Sequence, residues 1–254
     1  MSFPVYFHLF GFTINPHFIF ESLAYSLGFA VFRLLQRRFG DPVPQGVRWS
    51  VVAAATAGAV AGSKLLYWLE DPARIFYHWN NWQVVWGGKT IIGGLIGGLV
   101  AVEYAKKKMG FAGRTGDLFA FPLCIGIGVG RIGCFLAGLD DDTYGSVTNL
   151  PWGINFGDGL RRHPTQLYEI IFLVCLGLFL SARMRKPFVQ GNIFKLFMVE
   201  YLAWRLALDF LKPDPRFLIL NNLQWACVAM LLYYLADIRR WLGSKTVDTA
   251  AAAT

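Results

Sequence analysis

Residues 118–139 read LFAFPLCIGIGVGRIGCFLAGL, an almost wholly apolar run that is long enough to cross a bilayer as a helix. Arg131 lies well inside this run. A guanidinium at that depth costs roughly 3 kcal/mol on insertion scales, so such a residue normally faces a polar interior and marks a functional site. An anionic group is the simplest partner for this planar, permanently charged side chain. The run also contains glycines that allow a backbone or a ligand to approach closely: Gly126, Gly128, Gly130, Gly133 and Gly138.

The composition of the whole chain favours a membrane protein. Of its 254 residues, 55% are hydrophobic and 16% are charged, whereas a soluble domain carries about 25% charged residues. The net charge of +8 resides in short loops between apolar segments, which favours an anionic lipid surface and argues against nucleic acid. The four cysteines have no paired spacing, so neither a disulfide framework nor a metal site is expected. The N-terminus has no basic stretch before its first apolar run, so no cleavable signal peptide is predicted.

Seven apolar segments predict an all-α fold, a polytopic membrane bundle of about seven transmembrane helices around a polar cavity. Residues 1–243 are interpreted as a single transmembrane domain, and the Ala/Thr-rich tail over 244–254 is predicted to be disordered. The seven predicted segments are 17–36, 47–69, 90–105, 117–138, 165–183, 191–211 and 217–238.

The distribution of lysine and arginine predicts the orientation of the bundle. The loops on one side, which include the one after the first segment and the C-terminal tail, carry more than twice as many basic residues as those on the other. Basic loops face the cytoplasm. We therefore expect a multi-pass protein of a bacterial inner (plasma) membrane with its N-terminus outside and its C-terminus in the cytoplasm.

Charged residues within the sixth segment indicate a polar helix face. Tyr201, Arg205 and Asp209 recur at four-residue steps and therefore share one side of a helix. Arg131 and Arg205 together could hold a phosphate, with Glu169 or Asp209 orienting them through charge-assisted hydrogen bonds. The alternative is a set of purely structural ion pairs inside the bundle.

The segment His163-Pro164-Thr165-Gln166-Leu167-Tyr168-Glu169 opens the fifth predicted helix, because proline is well tolerated in a first turn. His163 is a candidate to cap or gate the site, or is simply a hydrogen-bonding residue at the interface. Glu21 is an unusual acidic residue within the first segment and is a functional candidate. Asp140 to Asp142 are interpreted as a solvated loop, and the glycine pairs in 87–98 as close helix packing rather than a phosphate cradle.

Four strings together resemble the prolipoprotein diacylglyceryl transferase family: GGKTIIGGLIGG (87–98), GRIGCFLAG (130–138), HPTQLYE (163–169) and YLAWRLALDFLKPD (201–214). The resemblance covers roughly residues 17–238. It implies a seven-span inner-membrane enzyme that moves a diacylglyceryl group from phosphatidylglycerol to the lipobox cysteine in the signal peptide of a prolipoprotein. Glycerol phosphate would be released, membrane lipid and prolipoprotein would be the partners, and neither a metal nor an organic cofactor is expected.

The resemblance also assigns roles to residues. It implies that Arg131 and Arg205 are the two essential arginines. His163, Glu169 and Glu21 join them as catalytic candidates. The expected substrate-binding residues are Tyr201, Gln166, Tyr168, Gly130, Gly133, Gly145 and Asp209.

Three positions depart from the usual family pattern. Ile92 stands where the family usually has a histidine proposed as the base, and Cys134 stands where it usually has asparagine. Glu21 takes the place of a tyrosine. An acceptor thiol with a pKa near 8.5 needs a base or a positive field to react, so Glu21, His163 and Glu169 are the candidate bases.

Two other functions fit the same residues. A paralogue could hold lipid through Arg131 and Arg205 but transfer the lipid or headgroup moiety to a different acceptor. A non-catalytic lipid-binding or transport protein would also place charge within broken helices.

Overall fold

The computed structural model describes residues 3–9 and 11–251 and is mostly helical. The α-helices of this part of the chain are α1 Pro16–Phe39, α2 Gln45–Glu70, α3 Pro72–Tyr77, α4 Trp82–Gly87, α5 Ile91–Lys108, α6 Asp117–Ala137, α7 Thr165–Met184, α8 Asn192–Leu208, α9 Asn222–Tyr233 and α10 Leu235–Ala251. The strands pair as two antiparallel hairpins, β1 Phe7–Leu9 with β2 Phe12–Ile14 and β3 Ile154–Asn155 with β4 Arg161–Arg162.

Four helical segments among the described residues are long and apolar enough to cross a membrane. They are Pro16–Phe39, Gln45–Glu70, Asp117–Asp141 and Thr165–Met184. The prediction of a membrane helix bundle is confirmed at this level. Each of the other three predicted segments also contains a helix, namely α5, α8 and α9.

The seventh predicted segment, 217–238, contains α9 and the first residues of α10. Helix α9 begins late because Asn221 and Gln224 form a capping box in which each side chain accepts from the other's backbone N–H. Helix α10 follows α9 and carries the backbone to Ala251. The disordered tail predicted over 244–254 overlaps this helix and its last three residues lie outside the described residues, so it stays a prediction.

Helices α2 and α5 pack closely through facing glycines. A Cβ added to Gly62 would lie 2.4 Å from the carbonyl oxygen of Gly93, and one added to Gly97 would lie 2.2 Å from that of Gly58. Any larger side chain would force the two helices apart. The packing role is therefore confirmed for Gly93 and Gly97, whereas a Cβ on Gly87 would meet nothing within 4 Å.

Helix α6 is the centre of the second half of the bundle, where it packs against α1, α7 and α8. The carboxylate of Asp117 at its start accepts hydrogen bonds from the backbone N–H groups of Gly191 and Phe194, which fixes the beginning of α8. Gly138 has a φ of 65° and ends α6, after which a short 3-10 turn runs to Asp141. Helices α1, α6, α7 and α8 therefore pack together in this half of the bundle.

Candidate functional site

Glu169 is the centre of a buried ion cluster, which we call the Glu169 cluster. Its Oε2 lies 2.8 Å from Nε of Arg131 and 3.0 Å from Nη1 of Arg205. Its Oε1 accepts a hydrogen bond of 2.5 Å from the Tyr201 hydroxyl. All four side chains are buried. The two arginines, expected to act together, thus meet at one carboxylate, although they come from α6 and α8.

The polar face predicted for the sixth segment is confirmed. Tyr201 and Arg205 lie on α8, and Asp209 begins the 3-10 turn that follows it. Nη2 of Arg205 lies 2.8 Å from Oδ1 of Asp209. Each guanidinium is therefore held by a carboxylate, which fixes its orientation within the bundle.

The arginines retain hydrogen-bonding capacity. Nε of Arg131 and Nε of Arg205 are fully buried and have no hydrogen bond of favourable angle within the described residues, although Arg131 is ion-paired through this atom. Buried N–H groups normally have a partner. The Nε–H of Arg205, which no ion pair uses, could therefore serve an anionic ligand.

Lys212 adds a third positive charge at the end of the cluster. Its Nζ lies 3.8 Å from Oδ1 of Asp209, and Glu70 and Asp214 act on it from farther away. Burial, followed by the charge of Arg205, lowers the pKa of Lys212 below its ordinary value. The lysine therefore lies in a positive field, and a nearby anion would stabilise its charged form.

The HPTQLYE segment opens α7, as predicted. His163 and Tyr168 contact each other, since Nδ1 of the histidine lies 3.3 Å from the tyrosine hydroxyl. That hydroxyl also accepts from Nε1 of Trp152 at 2.8 Å. Nε2 of the buried Gln166 donates to Oγ1 of Thr143 at 3.3 Å. The pair of His163 and Tyr168 therefore lies at the start of α7. Among the described residues, it makes no direct hydrogen bond to the side chains of the Glu169 cluster.

The three glycines predicted to bind substrate differ in their surroundings. A Cβ on Gly145 would lie 2.5 Å from Cβ of His163, and one on Gly133 would lie 2.8 Å from Cβ of Phe20. A Cβ on Gly130 would meet nothing within 4 Å. Gly145 and Gly133 therefore allow close packing, whereas Gly130 leaves open space directly beside Arg131.

A second polar group, which we call the His17 cluster, lies one helical turn further along α6. Nδ1 of His17 is 2.8 Å from Oδ1 of Asp141 and 3.8 Å from Sγ of Cys134. Nη1 of Arg131 lies 3.9 Å from the same sulfur. The interpretation of 140–142 as a solvated loop is wrong for Asp141, whose side chain is only 11% exposed.

Sequence reasoning missed His17 because the signal for it is local and weak. The Asn15 side chain accepts the backbone N–H of His17 at 2.8 Å, and Pro16 occupies the first turn, so α1 begins with the histidine in a fixed place. An Asn-Pro pair predicts the start of a helix from the sequence alone. It does not show that Asp141 approaches the same ring.

Glu21, a predicted base, lies one turn after His17 on α1. Its Oε2 is 3.6 Å from Nε2 of the histidine, and Oε1 accepts a hydrogen bond of 2.8 Å from the Tyr25 hydroxyl. Lys89, which precedes α5, also contacts Oε1. Glu21 therefore belongs to the His17 cluster rather than to the Glu169 cluster.

Comparison with known proteins agrees with these features. The profile of the prolipoprotein diacylglyceryl transferase family matches residues 4–238. The chain belongs to this family. Three relatives are named phosphatidylglycerol–prolipoprotein diacylglyceryl transferase. The one from Clostridium tetani is 33% identical over 84% of this chain and 86% of its own, that from Bordetella parapertussis 32% over 83% and 86%, and that from Geobacter sulfurreducens 33% over 84% and 84%.

The resemblance drawn from the four strings is thereby confirmed. Although the chain belongs to this family, position 92 carries an aliphatic side chain where a histidine is usual. Ile92 is the second residue of α5, is fully buried and packs in the hydrophobic core. A residue of this kind cannot accept a proton. His17 is linked to Arg131 through Cys134, whose sulfur contacts both side chains.

Proposed function

We propose that this protein transfers a diacylglyceryl group from phosphatidylglycerol to the lipobox cysteine in a prolipoprotein signal peptide and releases glycerol phosphate. The observation that carries the proposal is the meeting of Arg131 and Arg205 at Glu169 in the bundle interior. Phosphate is the group that the arginine fork recognises best. The lipid phosphate would use the buried Nε–H of Arg205, which neither of its ion pairs occupies.

The reaction is a displacement at the glyceryl carbon bonded to phosphate. Negative charge builds on the departing phosphate oxygen, and two fixed guanidinium groups beside it stabilise that charge without reorganising. Lys212, which lies 3.8 Å from Oδ1 of Asp209, is a third cation next to the two guanidinium groups.

Glu169 holds the arginines in place in this proposal. Its two oxygens are engaged by Arg131, Arg205 and Tyr201, so taking a proton would weaken all three contacts. The catalytic roles of Glu21 and His163 stay predictions, as do the substrate-binding roles of Gln166, Tyr168, Tyr201, Asp209, Gly130, Gly133 and Gly145.

A cavity of about 340 Å³ supports the proposal of a lipid substrate. It is lined mainly by apolar residues of α2, α5 and α6, and it reaches Ile127, one helical turn from Arg131. Its other end carries basic side chains, among them Lys106 and Arg114. An acyl chain could lie in such a space while its headgroup meets the Glu169 cluster.

We further propose seven membrane crossings in a bacterial inner membrane, with the N-terminus outside and the C-terminus in the cytoplasm. The four long apolar helices and the helices in the other three segments support this count. Labelling of single cysteines placed in each loop by a membrane-impermeant maleimide tests it. Labelling from the outside at residue 108 would contradict the orientation.

The direct test is transfer by the purified protein in vesicles that contain phosphatidylglycerol, with a lipobox peptide as acceptor. Mass spectrometry should show the peptide heavier by one diacylglyceryl unit. Arg131→Ala and Arg205→Ala should each lower the rate by about 100-fold or more, whereas Arg37→Ala, at an exposed position of α1, should leave it unchanged. Near-normal rates in both site variants would contradict the proposal.

A different acceptor is the second candidate, and Ile92 and Cys134 are the observations that favour it. Complementation of a strain depleted of its own transferase distinguishes the two. Rescue supports the lipobox acceptor. Transfer to another molecule without rescue supports the paralogue, and lipid binding or flux without any covalent product supports a non-catalytic protein.

A further inference from the structure

The His17 cluster brings together three kinds of metal ligand from separate parts of the chain. His17 lies in the first turn of α1, Cys134 in the last turn of α6 and Asp141 at the end of the following 3-10 turn. The donor atoms Nδ1, Sγ and a carboxylate oxygen all lie within 4.8 Å of one another. Burial of Cys134 and near-burial of Asp141 remove the sulfur and the carboxylate from bulk water.

The same residue types also occur in nucleophilic triads, but the geometry differs. A triad uses opposite nitrogens of the imidazole, one for the nucleophile and the other for the carboxylate. Here Oδ1 of Asp141 and Sγ of Cys134 both face Nδ1 of His17, at 2.8 and 3.8 Å. Two ligand atoms on the same side of the imidazole fit a chelate, in which all donors face one ion, better than a triad.

We propose that His17, Cys134 and Asp141 bind one divalent transition-metal ion of the zinc class. Thiolate, imidazole and carboxylate are the ligands that zinc takes in proteins, at about 2.0–2.3 Å. Tetrahedral bonds of that length separate donor atoms by about 3.2–3.7 Å. The sulfur-to-nitrogen distance of 3.8 Å lies just above this range, and the nitrogen and oxygen atoms, which are 2.8 Å apart, need to separate by about half an ångström. The thiolate and carboxylate together neutralise a divalent charge.

The outer contacts of these residues match those of known metal sites. A histidine ligand usually donates its other ring N–H to a carboxylate. Nε2 of His17 lies 3.6 Å from Oε2 of Glu21. The Thr143 hydroxyl donates to Oδ2 of Asp141 at 2.7 Å, which leaves Oδ1 for the ion.

Among the described residues, Arg131 is the cation that contacts the proposed ligands. Its Nη1 lies 3.9 Å from Sγ of Cys134. Its charge is already paired at Nε with Glu169, 2.8 Å away. The guanidinium therefore opposes an ion less than an unpaired arginine would.

Three protein ligands leave a fourth position, which is the pattern of catalytic zinc sites. This role rests on the proposed function. The acceptor cysteine binds the ion at the fourth position as a thiolate, and the proton of its thiol passes to water. The thiolate sulfur then bonds to the glyceryl carbon. The carbon–oxygen bond to phosphate breaks, and its electron pair leaves with glycerol phosphate beside Arg131. Coordination deprotonates a thiol outright, so no base is needed at Ile92.

The test begins with metal binding by tag-free protein in detergent, stripped with a chelator and then dialysed against Zn²⁺ or Co²⁺. One ion should bind per chain, and the Co²⁺ form should show a sulfur-to-cobalt charge-transfer band in the near ultraviolet. Cys134→Asn and His17→Ala should lower the affinity by more than about 100-fold, and Glu21→Gln by about 10–100-fold. Cys175→Ser, at an exposed cysteine of α7, should bind like the unaltered protein.

Several outcomes would overturn the site. They are no binding by the unaltered protein, a spectrum without the sulfur band, and equal binding by Cys134→Asn in protein that elutes and melts like the unaltered chain. Transfer that continues at full rate in the stripped protein would overturn the role of the ion but leave the proposed function standing. A stoichiometric Co²⁺ complex without transfer in either state would support the site and contradict the proposed function instead.

Discussion

The Glu169 cluster and the His17 cluster meet on α6, where Arg131 and Cys134 are three residues apart, but they differ in burial and in origin. The side chain of Glu169 is 1% exposed, whereas that of His17 is 29% exposed. The first cluster is built from the strings that place the chain in its family. The second uses a histidine outside those strings and the cysteine that departs from them. On the two proposals above, the Glu169 cluster would hold the phosphate and the His17 cluster would hold the acceptor thiol.

The largest effect is expected from Glu169→Gln, which removes the charge at the centre of the buried cluster. Two guanidinium groups would then lack their common carboxylate, and the stability of the protein should fall by about 3–5 kcal/mol. Unfolding in mixed micelles measures this. Glu200→Gln, at an exposed position of α8, should change stability by less than about 0.5 kcal/mol. Equal stabilities would show that the ion pairs do not hold the bundle together.

Replacing each arginine by lysine tests the phosphate end more finely. Arg131→Lys and Arg205→Lys keep the charge but lose the planar fork, so the transfer rate should fall by about 100-fold. Kinetics with the lipobox peptide measure the loss, and Arg37→Lys is the matched control. Unchanged rates in the two site variants would mean that charge alone suffices.

Two glycines of α6 provide a matched pair for the contact between α1 and α6. Gly133→Ala places a methyl group 2.8 Å from Cβ of Phe20 and 3.1 Å from Cα of His17, whereas Gly130→Ala meets nothing within 4 Å. We expect Gly133→Ala to destabilise the protein by about 1–3 kcal/mol and to move His17 away from Cys134. Thermal unfolding and Co²⁺ titration measure the two effects. If both glycine variants behave alike, α1 does not depend on this close approach.

The smallest effect concerns the ion pair of Asp41 and Arg48 at the opposite end of the bundle, where Nη2 lies 2.6 Å from Oδ1. Burial acts to raise the pKa of Asp41, but the guanidinium outweighs it, and the pKa lies below its ordinary 3.8. The stabilisation is therefore present above that ordinary value and is lost as the pH falls through the lower folded value.

Accordingly, Asp41→Asn should lower Tm by about 2–4 °C at pH 7. The difference from the unaltered protein should shrink once the pH falls below the ordinary pKa of the carboxyl group. Asp140→Asn, in an exposed position, serves as the control. A difference in Tm that stays constant into acid would contradict the assignment of the pair.

The helices and the Glu169 cluster were largely predictable, whereas the connecting segments were not. Four-residue spacing placed Tyr201 and Arg205 on one face, and the cost of burying charge required them to point inward. The short helices α3 and α4 and the two hairpins were not predicted, because local caps such as Asn81 decide them. The capping box at Asn221 likewise set the start of α9 later than apolar content alone suggested.

The sequence by itself determined that this chain forms apolar helices, that Arg131 and Arg205 lie inside the bundle, and that the chain belongs to its family. Segment length and the free energy of burying a charge are local properties, so they can be read along the chain. Only the tertiary structure brought His17 to Cys134 and Asp141. His17 is more than a hundred positions away from the other two. Their meeting depends on how closely α1 docks on α6, a distance that residue spacing does not encode.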